Sequence, residues 1–164
     1  MHDQRHRAES FGDVAEAYER HRPSYPEALI DDLVAARPTN ALDIGTGTGK
    51  AARLLAARGV PVLGVEIDTQ MAAVARRFGL DVEVASFETW HADGRMFDLV
   101  ISGQAWHWID PAVGVPKAAS LLRPGALLAL FWNTASLEAS MRAALREVYG
   151  RLAPDTLAAG RTFE

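Results

Sequence analysis

A glycine-rich segment follows the first strongly apolar run of the chain: Leu42-Asp43-Ile44-Gly45-Thr46-Gly47-Thr48-Gly49-Lys50. Glycines at every second position let the backbone approach a ligand without interference from Cβ atoms. Free backbone amides at the start of a following helix favour a negative group such as a carboxylate or a phosphate. The segment therefore predicts a binding site for a ligand with an anionic group, with a tight turn that binds nothing as the alternative.

The spacing of the glycines separates this segment from two common nucleotide-binding motifs. A P-loop requires a glycine five residues before Gly49 and a serine or threonine after Lys50, where this chain has Ile44 and Ala51. A dinucleotide fingerprint has the pattern G-x-G-x-x-G, whereas the glycines here give G-x-G-x-G. A short-chain dehydrogenase also needs a Tyr-x-x-x-Lys pair, and none of the tyrosines has a lysine four residues later. These patterns argue against a P-loop and against an oxidoreductase.

Two acidic residues complete the candidate site. Glu66 ends the next apolar run, and an acidic side chain about 20 residues after the glycines accepts hydrogen bonds from both hydroxyls of a ribose. Asp43 lies near the end of the first apolar run, where a carboxylate needs a polar partner to offset its desolvation. Together they predict a ligand that carries a nucleoside, and the alternative for Glu66 is a solvated strand end.

The elements that must position these residues follow from the apolar pattern. From residue 40 onward, short apolar runs alternate with alanine-rich helical segments, which is typical of strands joined by crossover helices. We predict five strands, over residues 41–44, 60–65, 80–85, 97–102 and 126–132. The predicted helices cover residues 11–21, 26–38, 49–58, 69–78, 111–122 and 137–152. Since parallel crossovers are right-handed, these elements build an open α/β sheet.

Two local signals refine this pattern. Asp110 and Pro111 form a good cap and first-turn pair for the helix that follows them. Pro124 and Gly125 predict a stop just before the fifth strand. That strand is apolar on both faces, which is typical of a strand inside a sheet.

Length and composition describe one ordinary globular domain of 164 residues, 49% hydrophobic and 23% charged. The chain has no cysteine, and His2 and His6 at the polar N-terminus are expected to be solvated, so we predict no metal site. A net charge of −4 with scattered arginines argues against nucleic acid and anionic membranes as partners. No apolar run suits a membrane span or a signal peptide, and we expect a cytoplasmic protein.

The ordered motifs resemble those of the class I S-adenosylmethionine-dependent methyltransferases, in particular the type 11 small-molecule branch. The glycine segment is similar to that family's first motif, and Gly64-Val65-Glu66-Ile67-Asp68 to its ribose-binding strand end. Ser86-Phe87-Glu88 resembles the stretch that borders adenine. Leu121-Leu122-Arg123-Pro124-Gly125-Ala126-Leu127 resembles the entry to strand five, with Ala126 in place of a second glycine.

Two further stretches resemble the subgroup that includes trans-aconitate methyltransferase-like proteins: Tyr18-Glu19-Arg20-His21-Arg22-Pro23-Ser24-Tyr25-Pro26 and Ala105-Trp106-His107-Trp108. The resemblance implies a Rossmann-like, mostly parallel sheet in the order 3-2-1-4-5 with helices on both faces. It implies a single domain over residues 1–164, with a helical lid over 1–38, a cofactor-binding core over 39–133 and a helical tail over 134–164.

The resemblance further implies S-adenosylmethionine as cofactor and methyl transfer to a small-molecule acceptor. It assigns cofactor binding to Tyr18, Arg22, Asp43, Gly45, Thr46, Gly47, Gly49, Glu66, Ile67, Ser86, Phe87, Ser102 and Gly103. For Phe87 a core position is the alternative to stacking on adenine, and for Arg22 the alternative is a surface position. A nucleoside-binding protein without activity is the alternative function, and an NAD-binding oxidoreductase is a more distant one.

His107 is the candidate general base, because it follows the fourth strand, at the edge where open α/β sheets bind ligands. The alternative is that it closes the pocket between Trp106 and Trp108. The family carries seven strands, and five are visible in this sequence, so we expect a partial chain. An unpaired fifth strand would then recruit a partner, which predicts self-association through that strand.

Overall fold

The computed structural model describes residues 15–134 and 138–152 of the chain. Three predicted features lie outside the described residues: the start of the first helix at residue 11, the start of the last helix at residue 137, and the whole of the C-terminal tail beyond residue 152. His2 and His6 lie outside them as well. The described chain divides between two compact units, residues 1–133 and 134–164. The sheet and the candidate site belong to the first unit.

Five parallel strands form one sheet in the order β3-β2-β1-β4-β5, which confirms the predicted fold class and strand order. The predicted β1 has the bounds observed, and β2 to β4 differ from their predictions by one or two residues. The strands are β1 (Ala41–Ile44), β2 (Val62–Glu66), β3 (Asp81–Val84), β4 (Phe97–Gly103) and β5 (Leu122–Phe131).

Six α-helices occur in the described residues, together with a 3₁₀ turn at Trp106–Trp108 that the sequence pattern did not predict. Asp68 caps α4 by accepting from the backbone amides of Gln70 and Met71, and Asp110 caps α5 as predicted. The helices are α1 (Ala15–His21), α2 (Glu27–Ala35), α3 (Lys50–Ala56), α4 (Thr69–Arg77), α5 (Pro111–Leu121) and α6 (Ala139–Leu152). None of the helices in the described part is long and apolar enough to cross a membrane.

Alternate residues of the central strands point into different core clusters, as the period of two in a strand requires. Leu42 and Val100 pack in one cluster with Phe97 and Leu121. Their neighbours Ala41 and Leu99 pack in a second cluster with Ile30, Leu33 and Leu55. Because helices cover both faces, the central strands β1, β2 and β4 are mostly buried on both sides, which fixes their carboxyl ends in place.

Strand β5 differs from its prediction. It begins at Leu122 and runs through Pro124 and Gly125, so the predicted stop before residue 126 is wrong. Phe97 pairs with Leu122 and Leu99 with Leu127, so the extra residues of β5 form a bulge in which Gly125 has φ +81°. Among the described strands β5 is at the edge of the sheet, and Leu127 is 43% exposed.

Candidate cofactor-binding site

Two adjoining cavities, of about 150 and 40 Å³, lie at the carboxyl ends of β1, β2 and β4. This is the edge at which open α/β sheets bind ligands. The larger cavity is mostly apolar, and the smaller one has more polar walls. The residues that line both are Tyr18, Arg22, Gly45, Gly47, Gly103 and Gln104.

The loop after β1 needs glycine at its first two glycine positions for different reasons. The amides of Gly45 and Thr46 donate to the Val65 carbonyl at 2.8 and 3.2 Å, which joins the loop to β2. Gly45 has φ +68°, and a Cβ there would collide with Ala105. Gly47 has φ +56°, and nothing lies within 4 Å of where its Cβ would be. Gly47 therefore presents bare backbone to the open space that both cavities share.

Gly49 has a different environment from the other two glycines. It precedes α3 with φ +85°, and a Cβ there would collide with Leu80 and approach Ala75 to 3.4 Å. It lines neither cavity. The structure thus places Gly49 behind the loop, where it allows α3 to approach β3 and α4 closely.

The Glu66 carboxylate is held rigidly at the end of β2. It is 7% exposed, and its two oxygens accept from the amides of Gly47 at 2.7 Å and Asp68 at 2.9 Å. Burial raises the pKa of Glu66, and these amides oppose the rise. Each oxygen keeps lone-pair capacity for a further donor, and Glu66 lines the larger cavity. It is therefore a buried acceptor rather than a solvated strand end.

Asp43 supplies a second buried carboxylate, in the smaller cavity. It is 2% exposed and accepts from the Thr46 hydroxyl at 2.8 Å. Burial raises its pKa to about 7, and the nearby charge of Glu66 adds to the rise. Arg22 and Lys50 line the same cavity. Cationic and anionic groups thus face one small space, which suits a ligand that carries charges of both signs.

The walls of the larger cavity come from the end of β2, from the segment after β3 and, with the most residues, from the segment that follows β4. Ile67, Ser86 and Phe87 line it, which brings three predicted residues together. Phe87 is 3% exposed and stacks on Trp90, with ring centroids 6.4 Å apart. Phe87 is therefore a core residue that also contributes to the cavity wall.

Ser102 lies apart from the other predicted site residues. It is fully buried, and its hydroxyl donates to the Ile44 carbonyl at 2.8 Å, which joins β4 to β1. It lines neither cavity, whereas the next residue, Gly103, lines both. A Cβ at Gly103 would lie 2.6 Å from the Tyr25 hydroxyl oxygen, so glycine is needed for this approach.

Helix α1 and the residue after it place Tyr18 and Arg22 over both cavities. The helix is fastened to α3, because Glu19 pairs with Arg53 at 2.6 Å and with Lys50 at 3.6 Å. The Arg22 guanidinium lies 5.4 Å from the centroid of the Tyr18 ring. Arg22 is thus an exposed surface residue that nevertheless lines both cavities.

His107 lies in the 3₁₀ turn and lines the larger cavity. Its Nδ1 accepts from the indole Nε1 of Trp132 at 3.2 Å, and its ring packs against Trp108 with centroids 4.7 Å apart. Burial lowers the pKa of His107. It lies outside the smaller, charged cavity.

Several residues that line the site were missed by sequence reasoning, and two polar ones are Gln104 and Lys50. Gln104 lines both cavities with φ +62°, a strained conformation for a residue other than glycine. No sequence signal marks it. Lys50 lines the smaller cavity and donates to the Glu19 carbonyl at 2.8 Å. It belongs to the glycine segment, and its position at the start of α3 was the available signal.

The two cavities together fit a nucleoside joined to a charged amino-acid tail. The open space above Gly47 admits a ligand backbone, and Glu66 offers a buried acceptor pair beside the apolar cavity. Asp43 and Arg22 offer opposite charges in the smaller one. S-adenosylmethionine has this composition: an adenosine, an ammonium and a carboxylate.

This fold and this arrangement of the site are of the kind found in the class I S-adenosylmethionine-dependent methyltransferase family. The methyltransferase domain family matches residues 42–130, and the chain belongs to that family.

Similar proteins that are named as methyltransferases support this family membership. An uncharacterized methyltransferase of Mycobacterium tuberculosis is 40% identical over 147 residues, which are 87% of this chain and 59% of that protein. A trans-aconitate 2-methyltransferase of Methylobacterium radiotolerans is 32% identical over 117 residues, 68% of this chain and 44% of that protein. The chain thus spans about half the length of these curated relatives.

A solved structure shares the fold at similar identity. The S-adenosylmethionine-bound amino pentose methyltransferase CalS10 from Micromonospora echinaspora superposes with a TM-score of 0.61 at 30% identity. The match covers 71% of this chain and 55% of that one. The resemblance based on sequence motifs is therefore confirmed.

Proposed function

We propose that this chain binds S-adenosylmethionine in the two cavities and transfers its methyl group to a small molecule. The observation that carries the proposal is the Glu66 carboxylate, which is buried, accepts a hydrogen bond from the Gly47 amide and lines the larger cavity. Such a group satisfies two ribose hydroxyls, whereas a bare phosphate would be repelled by it.

The other residues of the site would contact the adenine and the amino-acid part of the cofactor. Ile67, Ser86 and Phe87 would border adenine in the larger cavity. Asp43 would pair with the ammonium, and Arg22 with the carboxylate, in the smaller one. The bound cofactor supplies a sulfonium methyl group with its own leaving group, so that little acid or base chemistry is required of the protein.

The main task of the chain is then to hold the acceptor in line and to exclude water. Helix α1 covers the site from one side through Tyr18 and Arg22. The turn at Trp106–Trp108 bounds the larger cavity from another through His107 and Trp108. The acceptor is proposed to lie between them, beside His107.

Replacing Glu66 by alanine is expected to weaken S-adenosylmethionine binding by about 1–3 kcal/mol, because two ribose hydroxyls lose their acceptor. Isothermal calorimetry with S-adenosylmethionine, S-adenosylhomocysteine and NAD measures the effect. Asp81→Ala is the matched control, since it removes a carboxylate from the exposed start of β3. Equal affinity in wild type and E66A, or a preference for NAD, would contradict the proposed function.

His107→Ala is expected to lower turnover more than cofactor affinity. His107 contacts the larger cavity next to the proposed acceptor position and lies away from Asp43 and the charged tail. Steady-state rates and calorimetry on the same preparations separate the two effects. A loss of cofactor affinity as large as that of E66A would show that His107 belongs to the cofactor subsite.

The acceptor is best found by direct transfer of a labelled methyl group to a panel of small molecules. The names of two relatives, a trans-aconitate 2-methyltransferase and an amino pentose methyltransferase, supply an acid and an amino sugar as first candidates. Matched alcohols, amines and carboxylic acids complete the panel. Cofactor binding without transfer to any member would favour a binding protein over an enzyme.

We further propose that the 164-residue chain self-associates through β5. This strand is at the edge of the described sheet and is half-exposed along most of its ten residues, so that its outer row of amides and carbonyls can pair with a second copy. Light scattering after size exclusion should show dimers or larger species. Leu127→Lys places a charge on the edge and should restore the monomer. A monomeric wild-type chain would contradict the proposal.

A further inference from the structure

The loop that carries His107 is held by the end of β5. The Gln104 amide donates to the Phe131 carbonyl at 2.9 Å, and the Gln104 side-chain amide donates to the Asn133 carbonyl at 3.0 Å. Between these residues, the Trp132 indole donates to His107 Nδ1 at 3.2 Å. Three hydrogen bonds thus fix the strained Gln104 and the His107 ring relative to β5.

The contact with Trp132 determines which nitrogen of His107 carries the proton. An indole N–H is a donor only, so the nitrogen that faces it must be an unprotonated acceptor. A proton on Nδ1 would bring two N–H groups face to face. In the neutral ring the proton therefore resides on Nε2. No other hydrogen bond to the His107 ring is found among residues 15–134 and 138–152.

Trp132 and His107 also differ in their relation to the cavity. His107 lines the larger cavity, and Trp132 is not among the described residues that line it. The Trp132 indole thus contacts the Nδ1 edge of the imidazole from outside the cavity. Nε2, with its hydrogen, is the polar atom that remains for a ligand.

We propose that Trp132 is a positioning residue that holds His107 in the Nε2–H tautomer, so that His107 donates a hydrogen bond to the methyl acceptor instead of removing a proton from it. This inference rests on the proposed methyl transfer and assigns a role that the first expectation for His107, a general base, does not include. Burial lowers the pKa of His107 and is consistent with a neutral ring.

A donor at this position favours an acceptor oxygen that is already ionised at neutral pH, of which a carboxylate is the ordinary case. A carboxylate oxygen would form the new bond to the methyl carbon while the carbon–sulfur bond breaks and its electron pair stays on sulfur. The products are a methyl ester and S-adenosylhomocysteine, and no proton has to be moved. An alcohol would instead need a base that His107, in this tautomer, does not provide.

The tautomer is measured directly by ¹⁵N–¹H long-range correlation spectra of the ¹⁵N-histidine-labelled full chain. The spectrum of His107→Gln identifies the resonances of His107. We expect the Nε2–H tautomer in the wild type. Trp132→Phe should raise the pKa of His107 by about half a unit to one unit and admit the Nδ1–H tautomer, since the donor that excludes a proton from Nδ1 is lost.

Trp108→Phe is the matched control, because Trp108 packs on the same ring without a hydrogen bond to it. It should leave the tautomer unchanged. An Nδ1–H tautomer in the wild type, or equal His107 titration in Trp132→Phe and wild type, would overturn the positioning role. These spectra need neither cofactor nor acceptor, so they remain decisive even if the proposed function fails.

The donor role is tested by comparing His107→Gln with His107→Ala in methyl transfer to the acceptor panel. A glutamine amide can donate from about the place of Nε2 but cannot take up a proton. We expect Gln to retain transfer to carboxylates within about tenfold of wild type, and Ala to fall well below that. Equal loss in both variants, or transfer to alcohols in preference to carboxylates, would overturn the donor role.

Discussion

Gly47→Val is expected to abolish S-adenosylmethionine binding while the fold persists. The space where its Cβ would lie is empty within 4 Å, and Gly47 lines both cavities, so that a valine side chain would occupy the volume that the cofactor needs. Calorimetry measures the loss of binding, and thermal unfolding followed by circular dichroism measures the persistence of the fold.

The positive φ of Gly47 also makes any side chain costly, by about 1–3 kcal/mol of backbone strain. Gly59→Val is the matched control for that strain. Gly59 has φ +84° and open space around its Cβ position, and it lies outside both cavities. If Gly59→Val is destabilised as much as Gly47→Val but still binds S-adenosylmethionine, then the loss of binding in Gly47→Val is an effect on the site and not on the fold. Tight binding of S-adenosylmethionine by folded Gly47→Val would contradict the prediction and show that the loop is only a turn and does not contact the cofactor.

Asp43→Asn is expected to stabilise the cofactor-free protein at pH 8. Burial raises the pKa of Asp43 from an ordinary 3.8 to about 7, so ionisation of this carboxyl opposes folding. The penalty is absent below about pH 4, grows as the pH rises toward 7, and is complete above 7. At 1.36 kcal/mol per pKa unit it amounts to about 4 kcal/mol. Urea unfolding of wild type and Asp43→Asn at pH 5 and 8 measures the free energy of unfolding. The variant should be the more stable of the two at pH 8, and its advantage should be smaller at pH 5.

The same variant is expected to bind S-adenosylmethionine at least tenfold more weakly at pH 8, because the neutral amide cannot pair with the cofactor ammonium. In the wild type, affinity should rise as the pH rises through 7, since the bound ammonium favours the ionised carboxyl. Asp110→Asn is the control, because asparagine remains a good cap for α5. It should change neither the free energy of unfolding nor the affinity for S-adenosylmethionine. A destabilised Asp43→Asn, or unchanged affinity, would contradict the assignment of Asp43 to the ammonium.

The sheet was predictable because its signals are local. The run that forms β1 is four residues long, apolar except for Asp43, and bounded by Asn40 and Gly45, so its limits coincide with the prediction. The limits of β5 were not predictable in this way, because Pro124 and Gly125 usually end an element. Here the pairing of Leu122 with Phe97 continues the strand across a bulge, which is a tertiary effect.

The site was predictable where chemistry depends on residue type and less so where it depends on direction. Glu66 and Asp43 are acidic residues at strand ends, and their burial follows from the strands that carry them. Ser102 lies at a similar strand end, yet its hydroxyl turns toward the Ile44 carbonyl, and sequence periodicity does not resolve that rotation. Gln104 acquires its role from a backbone conformation that contacts with Phe131 and Asn133 impose.

The ion pairs of α1 have a consequence for the rate at which a ligand can leave. Tyr18 and Arg22 line both cavities, so a movement of α1 away from the site would widen the path by which a bound molecule leaves. Among the described residues, α1 is attached by the contacts of Glu19 with Arg53 and Lys50 and by the pair of Glu16 with Arg77. Ala15 and Tyr18 also pack against Met71 and Val74. Dissolved salt screens such partly exposed charges. If the chain transfers a methyl group as proposed, a higher ionic strength would then shorten the residence time of the spent cofactor, while the methyl-transfer step itself would be much less sensitive to it.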